Sequence, residues 1–277
     1  MRILTWNIQC GLGCDGRVDL RRIADVARAM GDPDVLCLQE ISQGFAPATA
    51  DADQVAELAS LFPDHTPVFG PAVEMAGEGG RMRAFGNLIL SRLPVLRIER
   101  HLLPWPVAEG VRSMRRQAVS VLVDTPAGPL HVLTTHLEFH SDAHRAAQVE
   151  RLIAIVGETL GHDARSDGET SDGPYRSPPA AIGLVMTGDF NFGPKDRLHC
   201  ELHRSGLADA WAVVYPDRAH APTCGIFDRK QWPQGPHCRD FIWLSEGLAG
   251  RLSRIEVNIE TDASDHQPVV IELSDGG

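Results

Sequence analysis

Residues 182–191 read Ile-Gly-Leu-Val-Met-Thr-Gly-Asp-Phe-Asn, a short apolar run closing on a glycine, a carboxylate and an amide. Ile182–Met186 has the length and aliphatic character of a strand and is too short for a helix. Its polar residues come just past the run, at Asp189 and Asn191. Strand ends are rigid, and the loops leaving them commonly carry binding and catalytic groups. The arrangement recurs elsewhere: Asn7 follows Ile3–Trp6, Gln39-Glu40 follows Val35–Leu38, and His136 follows Val132–Thr135. Asp240 opens Phe241–Leu244, and Asp265-His266 opens a last strand at Pro268–Leu273. Asn87–Leu90 and Ala118–Val123 are further strand candidates.

Helical spacing lies between some of these strands. Leu20, Ile23, Ala24, Ala27 and Met30 recur at i, i+3, i+4 and i+7, as do Val149, Leu152, Ile153, Val156 and Leu160. Val55, Leu58, Ala59 and Phe62 form a shorter case, and Thr125-Pro-Ala-Gly-Pro129 reads as a hairpin turn. Hairpins mixed with helical crossovers predict layered α/β structure. Residues 161–179, rich in Gly, Asp, Ser and Pro, read as a long mobile loop. Strand signals continue on both sides of it, so the expectation is a single domain over residues 1–277.

With 277 residues, 43% hydrophobic and 23% charged, the chain can bury a core without disulfide or metal staples. Its six cysteines form no CxxC pair, which argues for reduced thiols rather than a disulfide or zinc scaffold. The N-terminus has no apolar signal core and no stretch is long enough to span a membrane, so a cytoplasmic protein is expected. The net charge of −11 excludes a uniformly basic nucleic-acid-binding surface but leaves room for a local basic groove. No protein partner is indicated.

The strand ends together offer Asn7, Asn191, Glu40, Asp189, Asp240, Asp265, His136 and His266. An oxygen-rich set of this kind suits a hard cation that keeps some of its waters, as Mg²⁺ prefers, with Mn²⁺ able to substitute. Such an ion neutralises a phosphate, and a nearby carboxylate or imidazole can activate water. Each residue alone is equally consistent with a turn former or a satisfied polar group; the joint pattern carries the reading.

Thr5-Trp-Asn7, Leu38-Gln-Glu40, Thr135-His-Leu137, Gly188-Asp-Phe-Asn191, Arg239-Asp-Phe-Ile242 and Ser264-Asp-His266 resemble, in order, the motifs of the endonuclease/exonuclease/phosphatase (DNase I-like) superfamily. The resemblance implies a four-layer α/β/β/α sandwich of two mixed sheets flanked by helices, with the active site at one edge of the sheets. It also implies roles. Glu40 is the principal metal ligand, with Asn7 and Asp265 holding or positioning the metal and its waters. Asp189 orients or deprotonates the attacking water, and Asn191 holds the phosphate. His266 contacts phosphate or acts as base with Asp240 orienting it, and His136 stabilises the phosphate or leaving group. Thr-His-Leu at His136 resembles the DNase I, sphingomyelinase and tyrosyl-DNA phosphodiesterase branches more than the abasic-site endonucleases.

Other features read less sharply. Arg116, in Arg115-Arg116, is a candidate for binding substrate phosphate, with a solvated charge pair as the alternative. Arg81 and Arg83 flank a glycine-rich loop, Asn87 reads as structural, and Trp232 as a buried loop anchor. The Cys and His residues of Pro216–Arg239 fit no closed zinc site. The function expected is metal-dependent phosphodiester hydrolysis, with nucleic acid as one candidate substrate. The alternatives are a phosphatase or phosphodiesterase acting on a small molecule or lipid headgroup, and a non-catalytic binding module. Selectivity is expected in loops at Gly44–Asp53, Pro71–Arg83, Pro104–Arg115 and Pro216–Cys238.

Overall fold

Two six-stranded sheets face each other in the computed structural model, which describes residues 1–49, 51–164 and 179–274. The first runs β11 (Leu252–Val257), β12 (Val269–Leu273), β1 (Arg2–Asn7), β2 (Val35–Gln43), β4 (Met82–Ser91) and β3 (Thr66–Ala76). The second runs β5 (Val95–Leu102), β6 (Gln117–Val123), β7 (Leu130–His136), β8 (Leu184–Asp189), β10 (Asp240–Leu244) and β9 (Ala208–Asp209).

The period of two along each strand assigns its faces. Ile3, Val35 and Cys37 join Val132, Val185 and Ile242 in the cluster between the sheets. Their neighbours Leu4, Trp6, Leu36 and Leu38 turn outward, onto α1 (Leu20–Ala29) and α2 (Gln54–Leu61). Leu133, Leu184, Met186 and Trp243 turn outward on the other side, onto α3 (Asp142–Asp163) and α4 (Arg197–Arg204). The result is the four-layer α/β/β/α sandwich. Strands covered on both faces read as unbroken apolar runs, which is why the central ones were legible. The helices start at side-chain caps: Asp19, Asp53, Ser141 and Asp196 each accept a backbone N–H of the first turn.

Each sheet contains one parallel pair, β1–β2 joined through α1 and β7–β8 joined through α3. Register then aligns the polar strand ends. Asn7 pairs with Gln39, one residue before Glu40. Asp189 pairs with His136 on one side and Asp240 on the other. Three site residues thus form a row across the second sheet.

The structure corrects several boundaries. β3, β5 and β11 fall outside the expected strands, and most of the loop expected at Pro71–Arg83 is the paired end of β3 and β4. Residues 161–163 of the expected loop complete α3, while 165–178 lie outside the described residues. The turn at residues 125–129 is present, closed by Gly128 N–H to Thr125 O at 2.9 Å.

Candidate active site

Asp189 is almost wholly buried and sits at the centre of the aligned strand ends. Gly188 before it has φ +144°, and a Cβ there would lie 2.0 Å from Thr135 O of the neighbouring strand. Only glycine allows β8 to approach β7 this closely. Asn191 has φ +55°, left-handed backbone that asparagine tolerates better than most residues, and its N–H bonds Asp189 Oδ1 at 2.9 Å. The Asn191 side chain is fixed as well: Nδ2 donates to Leu137 O at 2.9 Å, and Oδ1 accepts from Arg239 at 3.2 Å.

Glu40 is aimed by a distortion of its strand. The β2–β4 register slips between Leu38 and Ile41, and Glu40 has φ +60°. Bulges of this type turn a side chain out of the regular pleat, and here the Glu40 side chain keeps 26% of its surface open. Asn7 Nδ2 donates to Glu40 Oε1 at 3.0 Å and to Asp189 Oδ2 at 3.1 Å, so one amide spans the two sheets. Asp265 lies beside them, its Oδ2 accepting from Gln231 Nε2 at 2.9 Å and Trp232 Nε1 at 3.1 Å. Ser264 Oγ donates to Asn7 O and Trp6 Nε1 to His266 O, both at 2.8 Å, which pins residues 264–266 to β1.

His266 lies between carboxylates. Its Nδ1 is 2.8 Å from Asp240 Oδ2, and its Nε2 is 3.7 Å from Asp189 Oδ2 and 4.0 Å from Asp265 Oδ2. Burial alone would lower its pKa, but Asp240, Asp189 and Asp265 together raise it well above the usual value. Thr223 Oγ1 holds Asp240 Oδ2 at 2.6 Å. Burial and then the neighbouring Asp189 charge push the Asp240 carboxyl up against the bonds from His266 and Thr223. Burial also opposes ionisation of Asp189, yet the charged His266 imidazole and the N–H groups of Asn191 and Asn7 bring its pKa below the usual carboxylate range. His136 Nε2 is 3.4 Å from Asp189 Oδ2; burial first, then the Arg116 charge, hold this imidazole neutral with a pKa of about 3.

All nine sequence-predicted residues therefore meet in one place. Asn7, Glu40, Arg116, His136, Asp189, Asn191 and His266 line a cleft of about 670 Å³, with Asp240 and Asp265 directly behind it. Arg116 is buried rather than solvated, its Nε 3.5 Å from Glu138 Oε2. Glu138 went unassigned in the sequence, although its place two residues after His136 put it on the same side of the chain. It also accepts the backbone N–H groups of Met114 at 3.3 Å and His140 at 3.0 Å. Thr223 and Gln231 were missed too, since nothing in their local sequence marks them, and Arg239, which opens the Arg239-Asp-Phe-Ile242 motif, was given no role. Trp232 is the buried anchor expected, with the Arg239 guanidinium 4.8 Å over its ring. In the Pro216–Arg239 stretch Cys224 Sγ meets His237 Nε2 at 3.2 Å, but Arg239 Nε donates to that same nitrogen at 2.9 Å.

The donor set fits a hard cation. Glu40 is pushed up to about 7, by burial first and by the Asp265 charge second, so these carboxylates crowd negative charge into one corner. A divalent ion held there by Glu40 and Asp265, with Asn7 alongside, would relieve that crowding with the oxygen ligands such ions take.

The sequence profile of the endonuclease/exonuclease/phosphatase family matches residues 4–266. The chain belongs to this family. The family generally uses divalent metals, consistent with the acidic and histidine groups gathered here. Among solved structures, an endonuclease/exonuclease/phosphatase from Beutenbergia cavernae is 24% identical, with TM-score 0.71 over 98% of this chain and 70% of that one. The 3′ phosphatase NExo from Neisseria, bound to a product DNA hairpin, is 20% identical with TM-score 0.62 over 99% of both chains. A mannosyl-6-phosphatase from Bacteroides thetaiotaomicron is 15% identical with TM-score 0.68, again over 99% of both. At these identities the likeness is one of fold. No curated protein matches the chain. No helix among the described residues is long and apolar enough to cross a membrane.

Proposed function

We propose that the protein is a Mg²⁺-dependent phosphodiesterase in which Asp189 activates the attacking water, and that residues 1–277 act as one domain. The observation that carries this reading is the Asn7 amide, which joins the Glu40 corner to Asp189 in a single hydrogen-bonded unit. Mg²⁺, or Mn²⁺ in its place, would be held by Glu40 and Asp265 and would supply neutralisation of the phosphate oxygens. Asn191, with its amide orientation fixed, and the Arg116 guanidinium bind the phosphate from the cleft wall. Asp189, ionised and facing the cleft, orients water and takes its proton. His266 has a carboxylate against each ring nitrogen and so acts as an imidazolium opposite the developing charge, with Asp240 fixing its ring. Neutral His136 offers a hydrogen bond to the phosphate or leaving oxygen.

Nucleic acid is the substrate class best supported. Arg112 and Arg116 line the cleft in a chain of net charge −11, and Phe139 at its rim is 38% exposed and able to stack on a base. The structurally similar NExo acts at DNA 3′ ends, whereas the similar mannosyl-6-phosphatase keeps a sugar phosphate as the second reading. The deciding measurement is turnover of single- and double-stranded DNA, RNA, sugar phosphates and an activated diester, with Mg²⁺ and after chelation. Loss on chelation, recovery with Mg²⁺ and preference for a nucleic acid are expected. Full turnover after exhaustive chelation, or with Glu40→Gln, would overturn the proposed metal role.

A further inference from the structure

Away from the cleft, at the β9 edge of the second sheet, His199, Asp209 and His220 bring two imidazoles onto one carboxylate oxygen. His199 Nε2 lies 2.8 Å and His220 Nε2 2.6 Å from Asp209 Oδ2. The three come from α4, from the end of β9 and from the segment leading to Thr223. All three ligand atoms fall within 4.8 Å of one another.

The groups around them hold the donors in place. Asp209 is 4% exposed, and its other oxygen accepts the Trp211 N–H at 2.9 Å, which fixes the carboxylate plane. The His199 ring packs 4.7 Å from Trp243 and 5.2 Å from Phe241. His220 stacks on Trp211 at 6.0 Å and packs 5.6 Å from Phe241. Both imidazoles are thus held by aromatic walls with Nε2 aimed at the same point. Pre-orientation of this kind is what supporting groups give a metal ligand. A cavity of about 470 Å³, lined by His199 and Asp209, opens beside them and can admit solvent as a fourth ligand.

We propose that His199, Asp209 and His220 form a second metal site, selective for a transition ion such as Zn²⁺ and distinct from the oxygen-rich cleft. Imidazole nitrogens favour Zn²⁺ over Mg²⁺, and two nitrogens, one carboxylate oxygen and a water make a tetrahedral set. Ligand atoms about 2.0–2.2 Å from such an ion lie roughly 3.3 Å apart, so Asp209 would withdraw by about half an ångström as an ion replaced the two N–H···O contacts. In each ring the proton then sits on Nδ1. An ion here would cross-link α4, β9 and the segment carrying Thr223, whose hydroxyl holds Asp240.

The test is a Co²⁺ titration of the full-length, chelator-stripped protein, read by the visible absorption of tetrahedral Co²⁺, with Zn²⁺ then added to displace it. Wild type and Glu40→Gln should both show tetrahedral bands that Zn²⁺ removes. His220→Gln keeps an N–H donor for Asp209 but loses the imidazole, and should lose the bands while Glu40→Gln retains them. His199→Gln should behave in the same way and serves if His220→Gln fails to fold. Absence of tetrahedral bands from wild type, or their persistence in both histidine variants, would overturn the site and leave a hydrogen-bonded His–Asp–His cluster. Bands lost in Glu40→Gln alone would assign them to the cleft and equally overturn the proposal.

Discussion

Asn7 on the first sheet donates to Asp189 on the second, Nδ2 to Oδ2 at 3.1 Å. The same nitrogen reaches Glu40 Oε1 at 3.0 Å, and Gln9 N–H bonds Asn7 Oδ1 at 3.1 Å, so the amide cannot flip without losing bonds on both sides. It positions Glu40 relative to Asp189. Removing groups that orient metal ligands typically costs about 10–100-fold in metal affinity or activity. Asn7→Ala should therefore raise the Mg²⁺ concentration needed for half-maximal activity by about that factor while the protein stays folded. Titration of activity against Mg²⁺ checks this; an unchanged midpoint would show that Glu40 holds its place unaided.

Much of this site was legible because its residues sit at the ends of strands buried on both faces. Val35–Leu38 and Val132–Thr135 stand out as strand runs, and Gln39-Glu40 and His136 follow them directly. β5 did not stand out: Leu96 and Ile98 are exposed, and its charged residues break the apolar run. β3 contains two prolines and a glycine, residues that disfavour a strand, and pairing with β4 overrides them. Gln231 and Thr223 reach the site through loops in which local sequence holds no period to read.

Gly188 tests how far the geometry depends on one backbone position. Gly188→Ala drives a methyl into Thr135 O at a φ of +144°. Clash and backbone strain together should cost about 3 kcal/mol or more. Chemical denaturation measures it. Wild-type stability in Gly188→Ala would mean that β7 and β8 can part without penalty, contrary to the packing described.

His136 should leave a mark on the acid side of the stability curve. Its pKa is lowered to about 3 in the folded protein, by burial and then by Arg116, against 6.5 unfolded. Between those values the unfolded chain binds a proton that the folded one refuses. The stability contributed by neutral His136 is complete above pH 6.5 and falls as pH drops, by up to about 1.4 kcal/mol per unit. His136→Gln removes the titration, so its stability should fall less between pH 7 and pH 5 than that of wild type. Urea denaturation at the two pH values gives the comparison. Equal losses would mean that the folded protein protonates this ring.

Asp240 and His266 allow the sharpest test, because their contact is short and their sequence positions are far apart. His266 Nδ1 lies 2.8 Å from Asp240 Oδ2, and Thr223 Oγ1 holds the same oxygen at 2.6 Å. If Asp240 acts by fixing and charging the imidazole, Asp240→Asn should keep the shape and lose the electrostatic support. General acid–base and charge-stabilising groups contribute about 10²–10⁴-fold, so each single variant should lose rate within that range. Groups that work as one unit are strongly non-additive, so Asp240→Asn with His266→Ala should be little worse than His266→Ala alone. The measurement is kcat/KM of the three variants on one activated phosphodiester, with Mg²⁺ saturating and folding checked by circular dichroism. Losses that multiply would show two independent residues. The charge on His266 would then have to be held by Asp189 and Asp265, at 3.7 and 4.0 Å, instead of by Asp240.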